Sequence, residues 1–230
     1  MASNEFGILI QGRVSSWTND IINEYKKNFP NTEIVFSTWK DEDVGRINCK
    51  VIQSEKPSPT HPHSSNINLQ IIGSREGLKE MSSEVILKCR SDIFIHNKNI
   101  FKIFKEKCSA EKIMAPNIGS YPFDYRISDF CLLGTKKVLF DFWNSLKLYD
   151  GSYRISPETY LARNYIVNVK KDKFFEREEE NIFCNIPISI TTAILGGEIE
   201  APTIEGKIAR LTIPPGTQSE TQFRLKGKGM

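Results

Sequence analysis

Lys88, Arg90 and Asp92 stand at alternate positions at the end of an apolar run, residues 84–89. Alternate residues of a β-strand point to one side, so the run, read as a strand, gathers a lysine, an arginine and a carboxylate on one face. That group has the charges to hold a diphosphate, and its carboxylate can bind a hard divalent cation, Mn2+ or Mg2+, that bridges phosphate oxygens. A structural ion-pair cluster at a sheet edge explains the same spacing, and spacing alone leaves both readings open. Gln11-Gly12-Arg13 follows an earlier apolar run. The glycine lets backbone approach a nucleotide and Arg13 can reach phosphate, or the three make a tight turn with a solvated arginine. Asn66 and Gln70, one helical turn apart, can contact a base or ribose; the plainer account is that Asn66 caps a helix and Gln70 is solvated. Asp41 and Asp43 can contact nucleotide or belong to a polar loop. His61-Pro62-His63 has the spacing of a metal pair, but it sits in a proline-rich loop without cysteine or acidic neighbours. It and the lone His96 read as structural.

These side chains need a sheet to hold them. Residues 6–10 read as a buried strand ended by Gln11-Gly12. A helix follows from about Trp17, with Thr18 as its cap and Ile21, Ile22, Tyr25 and Phe29 on one face. Strands are expected over 33–38 and 50–53, and a polar loop over 56–65. A helix over 66–80 is weakened by Gly73 and Gly77. Then come a strand over 84–89, a helix over 99–107, strands over 112–115 and 128–133, and helices over 136–146 and 157–165. The opening strand, helix, strand order implies a parallel sheet, in which ligands sit outside the carboxyl ends of the strands. After Asn164 the pattern changes. Period-two runs at 182–186, 197–200, 208–213 and 222–225, turns at Glu205-Gly206 and Pro215-Gly216, and one helical stretch over 190–195 predict a small antiparallel module. The fold class is α/β: a mostly parallel, Rossmann-like sheet flanked by helices, then an antiparallel β module, with the boundary near 165–171.

Composition narrows the partners. Hydrophobic residues make up 39% of the 230, enough for a sizeable core, and a formal charge of +3 is too balanced to point to nucleic acid. No apolar run approaches the roughly 20 residues of a membrane-spanning helix, so no transmembrane segment is expected. The N-terminus lacks the features of a signal peptide. Cys49, Cys89, Cys108, Cys131 and Cys184 are odd in number and lack metal-ligand spacing, as expected of reduced thiols in a cytoplasmic protein.

Several short motifs occur in order: Ile10-Gln11-Gly12, Asn28-Phe29-Pro30, Ser37-Thr38-Trp39, Asn66-Ile67-Asn68-Leu69-Gln70 and Gly77-Leu78-Lys79. Leu87-Lys88-Cys89-Arg90-Ser91-Asp92, Ile127-Ser128-Asp129-Phe130 with Gly134, and Glu158-Thr159-Tyr160-Leu161 continue the series. Together they resemble the WavE family, glycosyltransferases of lipopolysaccharide synthesis, over about residues 6–165. The resemblance implies a GT-A-like fold, a nucleotide-diphospho-sugar donor and a polysaccharide or lipopolysaccharide acceptor, with a place in the cytoplasm or at the inner face of a bacterial membrane. It sets Arg90-Ser91-Asp92 where such enzymes carry a metal-binding Asp-x-Asp, Arg90 replacing the first aspartate. A guanidinium there can neutralise diphosphate itself, which leaves the Mn2+ or Mg2+ ion, with Asp92 as its ligand, an open question. Gln11, Gly12, Arg13, Asn66, Gln70, Lys88 and Arg90 are assigned to the donor. The base that deprotonates the acceptor hydroxyl is assigned to Glu158, with Asp129 second. Glu158 otherwise serves as a first-turn carboxylate favoured by the helix dipole, and Asp129 pairs with an arginine or binds the acceptor.

A second series begins with Val167-Asn168-Val169-Lys170, Phe175-Glu176-Arg177-Glu178 and Ile186-Pro187-Ile188-Ser189. Leu195-Gly196-Gly197-Glu198-Ile199-Glu200, Ile213-Pro214-Pro215-Gly216-Thr217-Gln218 and Phe223-Arg224-Leu225-Lys226-Gly227 complete it. This series resembles the C-terminal region of DnaJ-type co-chaperones. It implies part of an antiparallel β domain and contact with unfolded polypeptide through residues 167–230. The J-domain His-Pro-Asp motif and the zinc-binding cysteine repeats are not seen. The expected domains are 1–166, a WavE-like glycosyltransferase domain shortened at its C-terminus, and 167–230, a partial DnaJ C-terminal domain. The expected function is sugar transfer from a nucleotide-sugar donor to a cell-surface glycan. The alternatives are an enzyme inactive through truncation, a chaperone fragment that binds unfolded protein, and a gene-fusion product without function.

Overall fold

Apolar residues that alternate along the strands build two cores, one on each face of a central sheet. The computed structural model describes residues 4–116, 118–119, 126–165, 176–178, 181–184, 186, 188–202 and 208–227. It divides into two units, Met1–Ile118 with Arg126–Lys170, and Gly119–Tyr125 with Lys171–Met230.

In the first unit the order is β1 (Phe6–Gln11), α1 (Thr18–Asn28), β2 (Glu33–Trp39), β3 (Lys50–Ser54), α2 (Ile67–Lys79), β4 (Val85–Arg90) and α3 (Ile100–Lys107). Two-residue strands β5 (Ile118–Gly119) and β6 (Arg126–Ile127) precede β7 (Cys131–Thr135), α4 (Lys136–Ser145) and α5 (Pro157–Tyr165). The five-stranded sheet runs β3-β2-β1-β4-β7. Its first four strands are mutually parallel and β7 lies antiparallel to β4. Ile8, Ile10, Phe36, Leu87 and Cys89 pack with Tyr25 of α1 and Phe101 of α3 on one face. Leu9, Val35, Ile86 and Leu132 pack with Ile71 of α2, Trp143 of α4 and Leu161 of α5 on the other. Each fully buried aliphatic side chain contributes about 2 kcal/mol, so the two layers fix the register of β1, β2, β4 and β7.

Several local expectations are corrected. Thr18 is not the cap of α1: Trp17 holds that position without a side-chain bond, while Thr18 turns inward and its hydroxyl accepts from the Ser15 amide at 2.8 Å. Asn66 precedes α2 but makes no capping bond. Gly73 and Gly77, expected to weaken that helix, let it lie against β1. A Cβ at Gly77 would sit 2.5 Å from Leu9 Cδ1, and one at Gly73 2.8 Å from Gln11 Cγ. Residues 112–115 form no strand, only a bridge between Met114 and Leu133. Residues 128–130 stay outside β7, because the Asp129 carboxylate turns in to meet Gln70. All five cysteines are free, and Cys89 and Cys131 face each other across the β4–β7 ladder.

In the second unit, β8 (Glu176–Glu178) and β9 (Asn181–Phe183) form an antiparallel pair, as do β10 (Gly197–Pro202) and β11 (Ile208–Ile213). Between them runs α6 (Ile190–Leu195), whose first turn is capped by Ser189 Oγ accepting from the Thr192 amide at 3.0 Å. The strand expected over 222–225 does not form. Gly216 and Glu220 both adopt left-handed backbone and turn the chain out of the ladder after β11. The turn expected at Glu205-Gly206 and the motif residues 167–170 lie outside the described residues. Among the described residues no helix is long and apolar enough to cross a membrane.

Candidate functional site

The carboxyl ends of β1, β2 and β4 meet at one rim, and the backbone there is tightly joined. The Gly12 amide donates to Ser37 O at 3.1 Å and the Ser91 amide to Gln11 O at 3.0 Å. Gly12 has φ +153°, and a Cβ on it would lie 2.1 Å from Ser91 Oγ. Only glycine fits this crossing of the β1 and β4 extensions. The Gln11 side chain is buried and its amide donates to Leu69 O of α2 at 3.4 Å.

Arg90, the last residue of β4, organises the charges. Its Nε and Nη2 donate to the two oxygens of Asp92 at 3.0 and 2.6 Å. Its Nη1 donates to both oxygens of Asp129 at 3.4 Å, and the exposed Phe130 ring lies 5.4 Å from its guanidinium carbon. The bond from Arg90 holds the Asp92 carboxyl below its ordinary range, and the same bond raises Arg90 above its own. Asp129 is buried and also accepts from Gln70 Nε2 at 2.6 Å. Asn66 touches this chain of bonds through Gln70: its side-chain oxygen accepts from Gln70 Nε2 at 3.4 Å and its carbonyl from the Gln70 amide at 3.1 Å. The expectation of a solvated Gln70 is therefore corrected: burying Asp129 requires a donor from α2, and Gln70 supplies it.

Lys88 differs from the expected ligand-facing lysine. It is 0% exposed, and among the described residues its ammonium has no hydrogen-bond partner. It lies 4.8 Å from the centroid of the Trp143 ring. Burial pushes its pKa down to about 8, against the attraction of Asp129. Lys88 and Arg90 do share a side of β4, as their spacing required, but the strand carries Lys88 beneath the helical layer and only Arg90 reaches the rim. The full group holds two cations and two carboxylates, so it is an electrically balanced network with Asp92 as its solvent-facing end.

The other expected site residues stand apart from it. Arg13 is largely exposed and its Nε donates to Glu42 at 2.9 Å. Asp41 pairs with Lys56 at 2.7 Å, and Asp43 accepts from the Gly45 amide in its own turn. Glu158 is half-buried in the first turn of α5 and, among the described residues, makes no ion pair or side-chain hydrogen bond. Phe130 and Trp143, which touch the two cations, were not singled out from the sequence. Phe130 adjoins Asp129 in its motif; Trp143 reads as an ordinary core residue of a helix. Among the described residues no group of three or more histidine, cysteine or acidic side chains could cage a metal.

Two surface clefts lie elsewhere. One, of about 540 Å³, opens between the loop after β3 and the segment before α5, and includes His63 and Arg154. The other, of about 560 Å³, is at the amino end of the sheet beside Phe6, Phe29 and Phe101. Lys88, Arg90 and Asp92 line neither of them.

The family model described as WavE lipopolysaccharide synthesis matches residues 8–191, and that described as the DnaJ C terminal domain matches residues 161–230. Among curated proteins, the chaperone protein DnaJ of Paramagnetospirillum magneticum is 53% identical over 64 residues, 28% of this chain and 17% of that protein. The DnaJ of Rhodospirillum centenum is 57% identical over 58 residues, 25% of this chain and 15% of that protein. The chain thus spans about a sixth of the length of these relatives. Among solved structures, 4-diphosphocytidyl-2C-methyl-D-erythritol synthase of Anaerococcus prevotii aligns with a TM-score of 0.42 at 11% identity, covering 70% of this chain and 83% of that one.

Proposed function

Since the chain belongs to the WavE lipopolysaccharide-synthesis family, we propose that its first unit binds a nucleotide-diphospho-sugar at the rim around Arg90 and transfers the sugar to a polysaccharide or lipopolysaccharide hydroxyl. The observation that carries this is the chain of bonds Gln70–Asp129–Arg90–Asp92 at the carboxyl ends of the parallel strands, where ligands of such sheets sit. Asp129 and Gln70 hold the guanidinium from behind, and the Asp92 carboxylate is the group a diphosphate would replace. Gln11, Gly12, Arg13 and Asn66 would supply the remaining donor contacts. Lys88, shut away from solvent, acts on the donor through its field rather than by contact. Asp92 would hold a Mg2+ or Mn2+ ion arriving with the donor; such an ion neutralises diphosphate charge. Glu158 is the proposed base, because its carboxylate is unpaired among the described residues whereas Asp129 is committed to Arg90 and Gln70.

Calorimetric titration of the full chain with a panel of nucleotide sugars, with and without Mg2+ or Mn2+, tests this. Arg90→Ala and Asp129→Asn should each weaken donor binding about tenfold or more, the worth of one charge-assisted contact. Failure of the native chain to bind any nucleotide sugar removes the proposal.

A second reading rests on the second unit, where a DnaJ C-terminal domain is present. Ile190, Ile194 and Leu195 of α6 are 75%, 60% and 74% exposed. Apolar side chains so placed favour contact with an unfolded polypeptide.

A further inference from the structure

The cleft between the loop after β3 and the segment before α5 joins residues about 90 positions apart, and its two walls are locked together. Asn68 clamps one wall: its Nδ2 donates to Tyr149 O at 2.9 Å and its Oδ1 accepts from the Tyr149 amide at 2.8 Å. The other wall is tied across by the His63 amide, which donates to Gly151 O at 3.2 Å, and is closed on itself by Thr60 Oγ1 donating to His63 O at 2.7 Å. Gly151 has φ +83°, and a Cβ there would lie 2.7 Å from His61 O. The walls meet this closely only because residue 151 is glycine. The cleft is therefore formed before any ligand arrives.

Its chemistry is one-sided. Arg154 is exposed and, among the described residues, has no carboxylate or other partner. His63, Ser64 and Ser156 line the same space, the Ser156 hydroxyl capping α5 by accepting from the Thr159 amide at 3.3 Å, and among the described residues no carboxylate does. Asp150, next to Tyr149, is turned into its own loop, accepting from Ser152 N and Oγ at 2.9 and 2.7 Å. A guanidinium, an imidazole and the Ser64 hydroxyl, with no competing acid among the described residues, are complementary to an oxyanion, and a guanidinium binds phosphate oxygens in pairs. At about 540 Å³ the space exceeds a bare phosphate and accommodates a sugar that bears one.

We infer that this cleft binds the phosphate ester of a sugar, at a site separate from the Arg90 rim. The inference rests on the sugar-transferase reading only in taking a sugar to carry the phosphate. The ester has two possible sources: a phosphorylated glycan acceptor, or the diphosphate of the donor. Calorimetry on the full chain with glucose 6-phosphate, UDP-glucose and glucose as probes separates them. Arg154→Gln, at an exposed position, should leave the urea midpoint unchanged and weaken glucose 6-phosphate about tenfold, with His63→Gln weakening it several-fold and neutral glucose not binding. A tenfold loss confined to UDP-glucose also supports the cleft, assigns the ester to the donor and removes the Arg90 rim as the donor's site. Equal binding of both phosphate probes by native chain and Arg154→Gln overturns the inference, as does failure of the native chain to bind either. Glucose 6-phosphate binding without binding of any nucleotide sugar leaves the cleft standing and removes the sugar-transferase proposal alone.

Discussion

Replacing Lys88 with methionine should stabilise the protein at neutral pH. The Lys88 ammonium is fully buried without a hydrogen-bond partner among the described residues, and burial moves its pKa from 10.5 to about 8. The folded value is depressed, so between pH 8 and 10.5 the unfolded chain holds a proton that the folded protein has released. Stability contributed by this group therefore rises with pH through that window, and below pH 8 its full cost remains. The difference between the two values corresponds to about 3 kcal/mol. Methionine has similar volume and no charge to desolvate. It forfeits the contact with the Trp143 ring, about 1 kcal/mol for an ammonium over an aromatic face. Lys88→Met should thus gain about 2 kcal/mol at pH 7, read as a higher urea midpoint at unchanged slope. The gain should disappear as pH approaches 10.5. Tyrosines that titrate in the same range are common to both proteins and cancel in the difference, whereas the Cys89 and Cys131 thiols, which the Lys88 charge lowers, rise further in the variant. A variant less stable than the native chain at pH 7, or a gain equal at pH 7 and pH 10.5, would refute the reasoning, because the ammonium would then have a compensating partner.

Gly12→Ala places a Cβ against Ser91 at a backbone angle that disfavours any side chain, so about 2 kcal/mol should be lost in urea unfolding. Gly12→Ala with Ser91→Gly should recover only part of it, and a loss below about 0.5 kcal/mol in the single variant would mean that the β1 and β4 extensions do not cross as described. In the second unit, Ile194→Asp should abolish protection of a heat-denatured client from aggregation, followed by light scattering of the full chain. Equal protection by both proteins, or none by the native chain, would discard the exposed face of α6 as a polypeptide contact.

Much of the fold was legible in the chain. Apolar alternation in residues 6–10 and 33–38 and the intervening amphipathic stretch specify a parallel strand pair because side-chain direction repeats locally. Pro157–Tyr165 was delimited by its proline start and apolar spacing. The spacing of Lys88 and Arg90 put them on one side of β4 for the same reason. Depth did not follow from spacing. Whether Lys88 reaches the rim or lies under α4 depends on where Trp143 packs, 55 positions away, and no local pattern encodes that distance. The partners of Arg13 and Gln70 were hidden likewise, since Glu42 and Asp129 are brought to them by chain reversals.

The chain alone therefore determined most element types of the first unit, the parallel direction of its opening strands and which residues carry charge, all products of interactions among near neighbours. Only the tertiary structure decided which charges are spent on one another. Arg90 satisfies Asp92 and Asp129, Lys88 is left without a donor–acceptor match, and Arg154 remains open in a cleft. Pairing of this kind depends on through-space distance and local dielectric, which helix α2, through Gln70 and Asn68, sets for the rim and the cleft together.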